Sequence, residues 1–536
     1  MKRIALWALV LFLATASFAA DTERYFVATR HPVRAIGASA VTRELGDTSA
    51  RRISTFSIVN GFSASLTASE AAKLRQSPDV RYVEPVVSRQ LHALNNDPIS
   101  KAGEQLIPYG ISLVHAPEAW LGTLGGEVNV VIIDTGIDNT HAELKDAYQG
   151  GVNTIDPAAS PMDDHGHGTH VAGTVAAANN NLGVVGVAPS VRLWAIKAFD
   201  KNGDGSSEDV MEGLDWVVTK KKAEGGRWIV NISAGGQNTS TAEAEAVART
   251  IAEGVVIVSS SGNASKVGEP AKVNYPGAHP NVVTVSAVDE QGAFAPFSNQ
   301  GPEVDFTAPG VRVLSLGLHG TIYVSYVRTS DNKIIDTKPL LGAKREAFTG
   351  QYVNCGLGTA ADFGPHVAGK IALIQRGGDT FAEKVKRAKE AGAAAAVIYN
   401  NVGGQYYWTL YPEDDPDAKN YPWPVAVGMS MEDGEALAAK GTGTIAIGLD
   451  PDDYGVRSGT SMSTPHVTGA IAHVWALAPN ATPQQVINAL ISTAKDIGSA
   501  GKDDQTGYGL IDVNAAAHML APSAFGRTGR RFLKRR

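Results

Sequence analysis

The chain has 536 residues, of which 43% are hydrophobic and 19% charged, and its formal net charge is −7. This composition is typical of a folded globular protein, and the length exceeds what one hydrophobic core supports, so we expect two or three domains. The net acidity gives no indication of nucleic-acid binding. A single cysteine, Cys355, excludes an internal disulfide.

The N-terminal segment MKRIALWALVLFLATASFAA has a charged start, an apolar stretch and a small-residue end. This pattern predicts a secretory signal peptide over residues 1–20, because the apolar stretch is too short for a convincing membrane span. We therefore expect a secreted, extracellular protein, with the general character of a bacterial enzyme and no membrane span after the signal is removed. At the other end, GRTGRRFLKRR predicts a solvated or processed basic tail over residues 521–536.

Residues 22–92 are predicted to form a compact α+β unit. The runs RYFVATR, FSIVNGFSASL and VRYVEPV indicate strands. Between the last two lies TASEAAKLRQS, in which Thr67 and Glu70 have the spacing of a capping box and predict the start of a helix that ends near Pro78.

The following region, from residue 105, alternates apolar runs with helical segments. The near-continuous apolar runs are VNVVIID, VRLWAIKAF, RWIVNISA, VVIVSSS and NVVTVSAVD. Such runs predict a parallel sheet with helices on both faces, that is, an α/β fold. Active sites in such folds lie at the carboxyl ends of the strands, where Asp134 and Asn263 are found.

Three distant segments supply the parts of a nucleophilic serine site in the order Asp134, His167, Ser461. A serine hydroxyl is a weak nucleophile until a neutral imidazole accepts its proton, and a carboxylate fixes the tautomer of that imidazole. Chain order separates the known solutions, because α/β-hydrolases run Ser, Asp, His and chymotrypsin-like enzymes run His, Asp, Ser. GTSMS around Ser461 also lacks the second glycine of a GxSxG elbow, which makes an α/β-hydrolase a weak alternative.

Ser461 precedes MSTPHVTGAIAHVWALA, a run typical of a buried helix. A serine at the start of this helix would have backbone N–H groups and the positive end of the dipole beside it. Pro465 is expected in the first turn, where its missing N–H has no helical partner to lose. Asn263 ends the strand-like VVIVSSSGN, where its amide could donate to an oxyanion.

The motifs IDTGID, HGTHVAGT and SGTSMSTPHV, in one chain and in this order, resemble those of the subtilisin-like serine proteases, or subtilases. The resemblance implies a serine endopeptidase that forms an acyl-enzyme on Ser461. It assigns general base and acid to His167, orientation of the imidazole to Asp134, and the oxyanion hole to Asn263 with the backbone N–H of the nucleophile. The expected fold is a subtilisin-like parallel sheet with an α+β propeptide and a β-rich inserted domain.

The unit at 22–92 resembles the inhibitory propeptide of these proteases, on account of NGFSASL, a helix and DVRYVEP. The resemblance implies a self-processed zymogen whose own propeptide is an intramolecular inhibitor. Self-cleavage is expected around His92 to Leu94.

Family resemblance also suggests where protein or peptide substrates bind. An extended substrate would lie between NISAGG with SSSGN on one side and GDGSS on the other. The residues implied are Ser233, Ala234, Gly235, Ser260, Ser261, Gly262, Gly205 and Ser206. DKNGDGSSED is not expected to bind calcium, because Met211 stands where an EF-hand has glutamate.

The loop NNNLGVVGVAP resembles the tight calcium loop of the family. The resemblance implies a structural Ca²⁺ whose all-oxygen ligands suit this ion. The residues implied are Gln105, Glu143, Ala178, Asn180, Leu182 and Val184. Glu143 departs from the family, in which aspartate is frequent at this position, and an Asn-rich surface turn is the alternative.

The family pattern stops after DFTAPGVRVLSL and resumes at YGVRSGTSMSTPH. We therefore expect a catalytic domain in two parts, residues 105–315 and 453–520, with an insertion over residues 316–452. GKIALIQRG, FAEKVKRAKEAG and AAAAVIYNN predict strand, helix and strand within it, which resembles a protease-associated (PA) domain. Cys355 lacks a nearby catalytic motif and is predicted to be a buried thiol.

Two alternatives to an endopeptidase remain at this stage. One is an inactive binding or scaffold protein that uses the inserted domain, which the presence of all four catalytic positions disfavours. The other is an esterase or amidase with the same catalytic groups, which a comparison of protein and small-ester substrates would distinguish.

Overall fold

The computed structural model describes residues 22–32, 53–92, 94–98, 105–120, 126–320, 322–330, 333–402, 409–411 and 416–525. The predicted signal peptide and residues 526–536 of the predicted tail lie outside this part of the chain. Among the described helices, none combines the length and the apolar character needed to cross a bilayer.

The N-terminal unit is a four-stranded antiparallel sheet with one helix. Its elements are β1 (Thr22–Thr29), β2 (Ile53–Phe56), β3 (Gly61–Thr67), α1 (Ala68–Leu74) and β4 (Val80–Pro85), with strand order β2-β3-β1-β4. The capping box predicted at the start of α1 is confirmed, because the Thr67 side chain accepts from the backbone N–H of Glu70 and the Glu70 carboxylate accepts from that of Thr67.

A seven-stranded parallel sheet forms the centre of the protein, as predicted. The elements from residue 88 to residue 316 are β5 (Ser88–Leu91), β6 (Leu94–Pro98), α2 (Tyr109–Leu113), α3 (Ala116–Ala119), β7 (Val128–Asp134), β8 (Tyr148–Asn153), α4 (His167–Ala176), β9 (Arg192–Lys197), β10 (Asp204–Ser206), α5 (Ser207–Glu224), β11 (Arg227–Ile232), β12 (Ala234–Gly235), α6 (Thr241–Ala252), β13 (Val256–Ser260), β14 (Val283–Val288), β15 (Val304–Pro309) and β16 (Val313–Leu316). The sheet order is β15-β14-β13-β11-β7-β9-β8. The apolar runs predicted the five inner strands, whereas the edge strands β8 and β15 were not predicted.

Helices cover both faces of this sheet because successive side chains of a strand point in opposite directions. Val130 and Ile132 of β7 join the core that contains α4, whereas Val131 and Ile133 join the core that contains α5 and α6. All seven residues of β7 are buried. The strand that ends at Asp134 is therefore held from both sides.

The segment predicted to be an insertion forms a closed barrel, and its described residues include two α-helices. Its elements are β17 (Ile322–Thr329), β18 (Ile334–Pro339), β19 (Phe348–Asn354), β20 (Ile371–Gln375), α7 (Phe381–Glu390), β21 (Ala395–Tyr399), β22 (Val425–Met429), α8 (Met431–Lys440) and β23 (Thr442–Asp452), and the barrel order is β17-β18-β22-β21-β20-β19-β23. The predicted strand, helix and strand are confirmed as β20, α7 and β21. Val385 and Ala388 of α7 are buried in a core separate from that of the parallel sheet.

The chain then returns to the central domain. The remaining elements are β24 (Tyr454–Ser458), α9 (Thr460–Leu477), α10 (Pro483–Thr493) and α11 (Val513–Leu520), followed by a 3₁₀ turn over Pro522–Phe525. β24 pairs with β16 on one side and with β6 on the other. The 3₁₀ turn falls inside the span predicted as tail, and the ring of Phe525 stacks on that of His518.

The expectation for Pro465 was wrong, because this residue lies inside α9 and not in its first turn. A proline there cannot donate to the carbonyl four residues earlier, which is that of Ser461. The Ser233 hydroxyl donates to this carbonyl at 3.0 Å instead. The side chain of the residue that directly follows β11 thus replaces the missing helical hydrogen bond.

The N-terminal unit packs against α5 and α6. Phe26 and Phe56 belong to the same core as Met211. Glu84 accepts from the backbone N–H of Ala242 at 2.8 Å at the start of α6, where the helix dipole favours an anion. Polar and apolar contacts therefore join this unit to the central domain.

Candidate active site

Asp134 and His167 form a buried hydrogen-bonded pair. The Nδ1 atom of His167 lies 2.7 Å from Oδ1 of Asp134, and both side chains are fully buried. Asp134 ends β7 and His167 begins α4, so a strand end and a helix start bring them together. A proton on Nδ1 leaves the lone pair of Nε2 available, and within the described residues Nε2 has no hydrogen-bond partner. The imidazole can therefore accept a proton at Nε2.

A second buried carboxylate holds the loop before α4. Asp163 accepts from the backbone N–H groups of His165 and Gly166 through Oδ1, at 2.9 and 2.8 Å. Its Oδ1 also accepts from the hydroxyl of Thr135 at 2.8 Å. Sequence reasoning missed Asp163 and Thr135, although Thr135 directly follows Asp134 and Asp163 lies four residues before His167. They fix the backbone that positions His167.

Ser461 is the second residue of α9 and is fully buried. Its Oγ donates to the carbonyl of Ser233 at 2.7 Å. Its backbone N–H points out of the helix start and donates to the carbonyl of His92 at 3.2 Å. The hydroxyl and an N–H donor of one residue thus lie at the same buried site.

The carbonyl oxygen of His92 also accepts from the side-chain amide of Asn263 at 2.6 Å. The Oδ1 of Asn263 accepts from both the N–H and the hydroxyl of Thr460 at 2.9 Å. Thr460 therefore fixes which end of the amide faces His92. Two donors converge on one carbonyl oxygen, which is the geometry needed to stabilise an oxyanion.

Strand β5, which His92 follows directly, lies in the site as the middle strand of a three-stranded antiparallel sheet. β5 pairs with β10 on one side, where Gly205 faces Arg89 and Ser206 faces Ser88. It pairs with β12 on the other side, through Ala234 and Gly235. The N–H of His92 donates to the carbonyl of Ser233 at 3.3 Å.

The side chain of His92 fills a buried polar pocket. Its Nδ1 lies 2.7 Å from the hydroxyl of Ser260, and its Nε2 lies 3.0 Å from the amide nitrogen of Asn274. Burial, together with the nearby charges of His167 and Arg89, lowers the pKa of His92 to about 3. The imidazole is therefore neutral, and it accepts from Asn274 at Nε2 while Nδ1–H donates to Ser260.

Ser261 and Gly262 lie next to this pocket but make their hydrogen bonds elsewhere. The N–H of Ser261 donates to Val285 at 3.0 Å, and that of Gly262 donates to the Thr460 hydroxyl at 3.2 Å. Gly262 has a φ of 111°, a conformation that glycine adopts most readily. Both residues support the loop that carries Asn263.

The six residues predicted as calcium ligands come together in one cluster. The amide nitrogen of Gln105 lies 2.6, 3.1 and 3.1 Å from the carbonyl oxygens of Ala178, Leu182 and Val184, and 3.5 Å from Oδ1 of Asn180. One amide has two hydrogens for these four oxygens.

The remaining predicted ligand, Glu143, adds a carboxylate to this cluster. Its Oε1 accepts from the Val184 N–H at 3.1 Å and the Tyr454 hydroxyl at 2.9 Å, and its buried Oε2 has no partner within the described residues. Burial raises the pKa of Glu143 to about 7. Rotating the Gln105 amide by half a turn would direct its oxygen, in place of its nitrogen, towards the cluster. The cluster would then present only oxygen ligands, which suits Ca²⁺.

Cys355 is buried in the barrel, and burial raises the pKa of its thiol to about 11. A thiol that stays protonated at neutral pH is a poor nucleophile. The cysteine is therefore part of the barrel core.

An α/β sheet with an Asp–His pair, a serine at a helix start and two donors on one buried carbonyl is the arrangement of a serine peptidase. The chain belongs to the subtilase family, peptidase family S8, which it matches over residues 125–401 and 426–509. Residues 16–92 match the peptidase inhibitor I9 domain. The protein is a subtilisin-type serine endopeptidase with an inhibitor propeptide.

Among curated relatives, subtilisin E of Bacillus subtilis is 32% identical over 346 residues, which cover 62% of this chain and 86% of the relative. A thermostable alkaline protease of Halalkalibacterium halodurans is 38% identical over 268 residues, 50% of this chain and 67% of the relative.

Two solved structures are similar. The psychrophilic subtilisin-like protease Apa1 of Pseudoalteromonas sp. AS-11 has a TM-score of 0.55 at 29% identity and covers 79% of this chain and 99% of its own. Fervidolysin of Fervidobacterium pennivorans, described as a keratinolytic enzyme related to subtilisin, has a TM-score of 0.58 at 22% identity and covers 93% of this chain and 61% of its own. The latter likeness concerns the fold alone.

Proposed function

We propose that the protein is a secreted bacterial endopeptidase, made as a self-processed zymogen, in which Ser461 is the nucleophile and His167 the general base and acid. Asp134 orients the imidazole, and Asn263 with the N–H of Ser461 forms the oxyanion hole. The single observation that carries this proposal is the carbonyl of His92, which accepts from Asn263 at 2.6 Å and from Ser461 at 3.2 Å. It occupies the position of a substrate carbonyl about to be attacked.

Acylation begins when the Ser461 hydroxyl turns from the Ser233 carbonyl towards the substrate carbon. His167 accepts its proton at Nε2, and the Asp134 carboxylate stabilises the resulting imidazolium through Nδ1–H. As the Ser461 Oγ–carbon bond forms, negative charge develops on the carbonyl oxygen, where Asn263 and the Ser461 N–H already donate. His167 then gives the proton to the leaving amine, and the C–N bond breaks.

Deacylation repeats these steps with water. His167 removes a proton from the water that attacks the ester carbon, and the same two donors stabilise the second oxyanion. Ser461 leaves with the proton that His167 returns to it. The same groups thus serve both half-reactions.

Self-processing is proposed at the bond that follows His92, at the first position of the predicted range His92 to Leu94. Antiparallel pairing of β5 on both sides supports this, since substrates bind as extended strands. We assign Ser233, Ala234, Gly235, Gly205 and Ser206 to the backbone contacts and Ser260 to the side-chain pocket. Ser261 and Gly262 are assigned to the support of that pocket. After cleavage, residues 22–92 stay bound as the inhibitor until they dissociate or are degraded.

We further propose a structural Ca²⁺ held by Gln105, Glu143 and Asn180 and by the carbonyls of Ala178, Leu182 and Val184. The convergence of oxygens on Gln105 and the unpartnered Oε2 of Glu143 support it. Bound there, the ion would tie the segment before α2 to the loop that follows α4. It would stabilise the fold and take no part in the reaction.

The barrel over residues 322–452 is proposed to be the PA-like domain expected from the sequence. Its first strand, β17, contacts β6, the strand that begins two residues after His92. The barrel therefore borders the side of the cleft that receives the residues after the scissile bond. This position is consistent with a role in substrate selection.

Labelling with a fluorophosphonate probe tests the proposed nucleophile. The processed protein should label, and Ser461→Ala should neither label nor process itself. Ser463→Ala, two residues further along α9, is the matched control and should label normally. Absence of labelling in the processed wild-type protein would instead favour the scaffold alternative, and turnover of a small ester without casein would favour the esterase. N-terminal sequencing of protein exported by a bacterial host would locate both the signal cleavage and the cut after His92.

A further inference from the structure

Arg89 makes the most deeply buried charged contact between the propeptide tail and the cleft. Its Nε and Nη2 lie 3.0 and 2.5 Å from the two carboxylate oxygens of Glu243, and both side chains have no exposed surface. His279 lies on the same carboxylate, with Nε2 at 3.3 Å from Oε2. Within the part of the chain described, Arg89 and His279 are the ion-pair partners of Glu243.

The position of Arg89 relative to the carbonyl of His92 indicates which residue of a substrate would contact Glu243. If His92 is the residue before the scissile bond, Arg89 is the fourth residue before it, at the position called P4. The burial pattern of β5 leaves Ser88 and Gln90 exposed while Arg89 points inwards. Arg89 therefore enters a pocket of the cleft that a substrate strand in the same register would also reach.

Glu243 belongs to the cleft and not to the propeptide. It lies in the first turn of α6, and its backbone N–H donates to the Ser240 hydroxyl at 3.1 Å. Negative charge is favoured at a helix start, so the carboxylate remains a suitable anion after the propeptide leaves. Across the pocket, a Cβ on Gly236 would lie 3.2 Å from Nη1 of Arg89. The glycine leaves the room that the guanidinium occupies.

We propose that Glu243, assisted by His279, makes the P4 pocket of this protease selective for arginine, so that its preferred substrates carry a basic residue four positions before the cut. The inference rests on the proposed function, since it takes the tail in the cleft as a substrate-like ligand. An apolar P4 side chain would leave the Glu243 carboxylate buried without the guanidinium that now pairs with it. Such desolvation without pairing is costly. A lysine at P4 supplies the charge without the bidentate geometry of arginine. The kcat/KM of a lysine peptide should therefore lie between those of the arginine and the apolar peptides.

Cleavage of peptides by the processed wild-type enzyme tests the proposed P4 selectivity. Because only the peptide is changed, the result does not depend on whether an enzyme variant folds. The parent peptide copies residues 87–96, VSRQLHALNN, and its arginine is replaced by citrulline, norleucine or lysine. Citrulline keeps the shape and removes the charge. We expect kcat/KM to fall at least about 30-fold for citrulline and norleucine, the size typical of breaking a buried charged pair.

Enzyme variants then distinguish a role of Glu243 in P4 selectivity from a role in the stability of the fold. Glu243→Leu should reverse the preference, so that norleucine is cleaved faster than arginine, which mere destabilisation of the fold would not produce. Glu253→Gln, at the exposed end of the same helix, is the control and should keep the preference of the wild type.

The outcomes distinguish the two proposals. Equal cleavage of all four peptides at the bond after histidine would overturn the P4 assignment and leave the proposed function intact. A wild-type enzyme that cleaves none of the four, and that does not label with fluorophosphonate, would overturn both.

Discussion

The hydroxyl of Ser233 donates at 3.0 Å to the carbonyl of Ser461, the one carbonyl of α9 that Pro465 deprives of its helical donor. The carbonyl of Ser233 in turn accepts the Ser461 hydroxyl at 2.7 Å. Asn231 donates to the Ser233 hydroxyl at 2.9 Å and fixes its orientation. The end of β11 and the start of α9 are thus locked together at the nucleophile.

Removing the Ser233 hydroxyl should therefore destabilise the protein. In a Ser461→Ala background, which prevents self-digestion, Ser233→Ala leaves the carbonyl of residue 461 buried without a donor, and we expect a loss of about 1–3 kcal/mol in the free energy of unfolding. Adding Pro465→Ala restores a backbone N–H for that carbonyl, so the cost of Ser233→Ala should shrink. Equal costs in both backgrounds, measured by urea unfolding, would argue against this account.

Asn263→Ala should reduce kcat far more than it changes KM, because the amide donor acts mainly on charge that develops in the transition state. A loss of the order of 10²–10³ is expected, the magnitude established for such a donor in subtilisin. Self-processing of the zymogen should slow by a similar factor, as followed by gel electrophoresis. Thr460→Ser keeps the hydroxyl that orients the amide and serves as the control. A normal kcat in Asn263→Ala would remove this residue from the oxyanion hole.

Local sequence patterns predicted what depends on local chemistry. The capping box at Thr67, the apolar run that ends at Asp134 and the helix α7 over Phe381–Glu390 were all predicted, because each is determined by neighbours along the chain. The edge strands β8 and β15 were missed because Gly150 and Gly151 interrupt the first, whereas the second contains Asp305 and ends in Pro309, residue types that are rare in strands. Each is a strand because of its pairing with a neighbour, β8 with β9 and β15 with β14.

Contacts between distant segments could not be predicted. Glu243 follows Ser240 in a pattern that indicates an ordinary helix start, and nothing in it reveals Arg89, 154 residues earlier. The position of Pro465 was wrong for the same reason, since its tolerance inside α9 depends on Ser233, 228 residues from Ser461. Specificity and precise positioning therefore became visible only in three dimensions.

The pocket around His92 predicts that cleavage after histidine weakens in acid. Burial and the charges of His167 and Arg89 hold the pKa of the bound imidazole at about 3, against 6.5 for a free one. Because the bound pKa is depressed, the free peptide takes up the proton first, and binding weakens as pH falls below 6.5. At pH 5 the neutral fraction of the free peptide is lower by about 30-fold.

The measurement is the ratio of kcat/KM for two peptides that differ only in histidine or phenylalanine before the cut. A titration of the enzyme itself affects both peptides equally, so it cancels in the ratio. We expect the ratio to be constant above pH 7.5 and to fall about 30-fold by pH 5. A ratio that does not change with pH would mean that the pocket does not select the neutral form of the imidazole.

Calcium removal should make stability depend on pH through Glu143. Without the ion, burial raises the pKa of Glu143 to about 7 from an ordinary 4.5, so the folded state holds a proton that the unfolded state has lost. Stability should therefore fall as pH rises from about 4.5 to 7, and chelator should lower Tm more at pH 8 than at pH 5.5. Calcium should restore Tm at pH 8, because the cation pairs with the ionised carboxylate. Glu143→Gln should abolish the pH dependence and weaken the calcium effect, whereas Glu290→Gln, in an exposed turn, should change neither. A wild-type protein whose Tm responds to chelator equally at both pH values would contradict the assignment of Glu143 as a ligand.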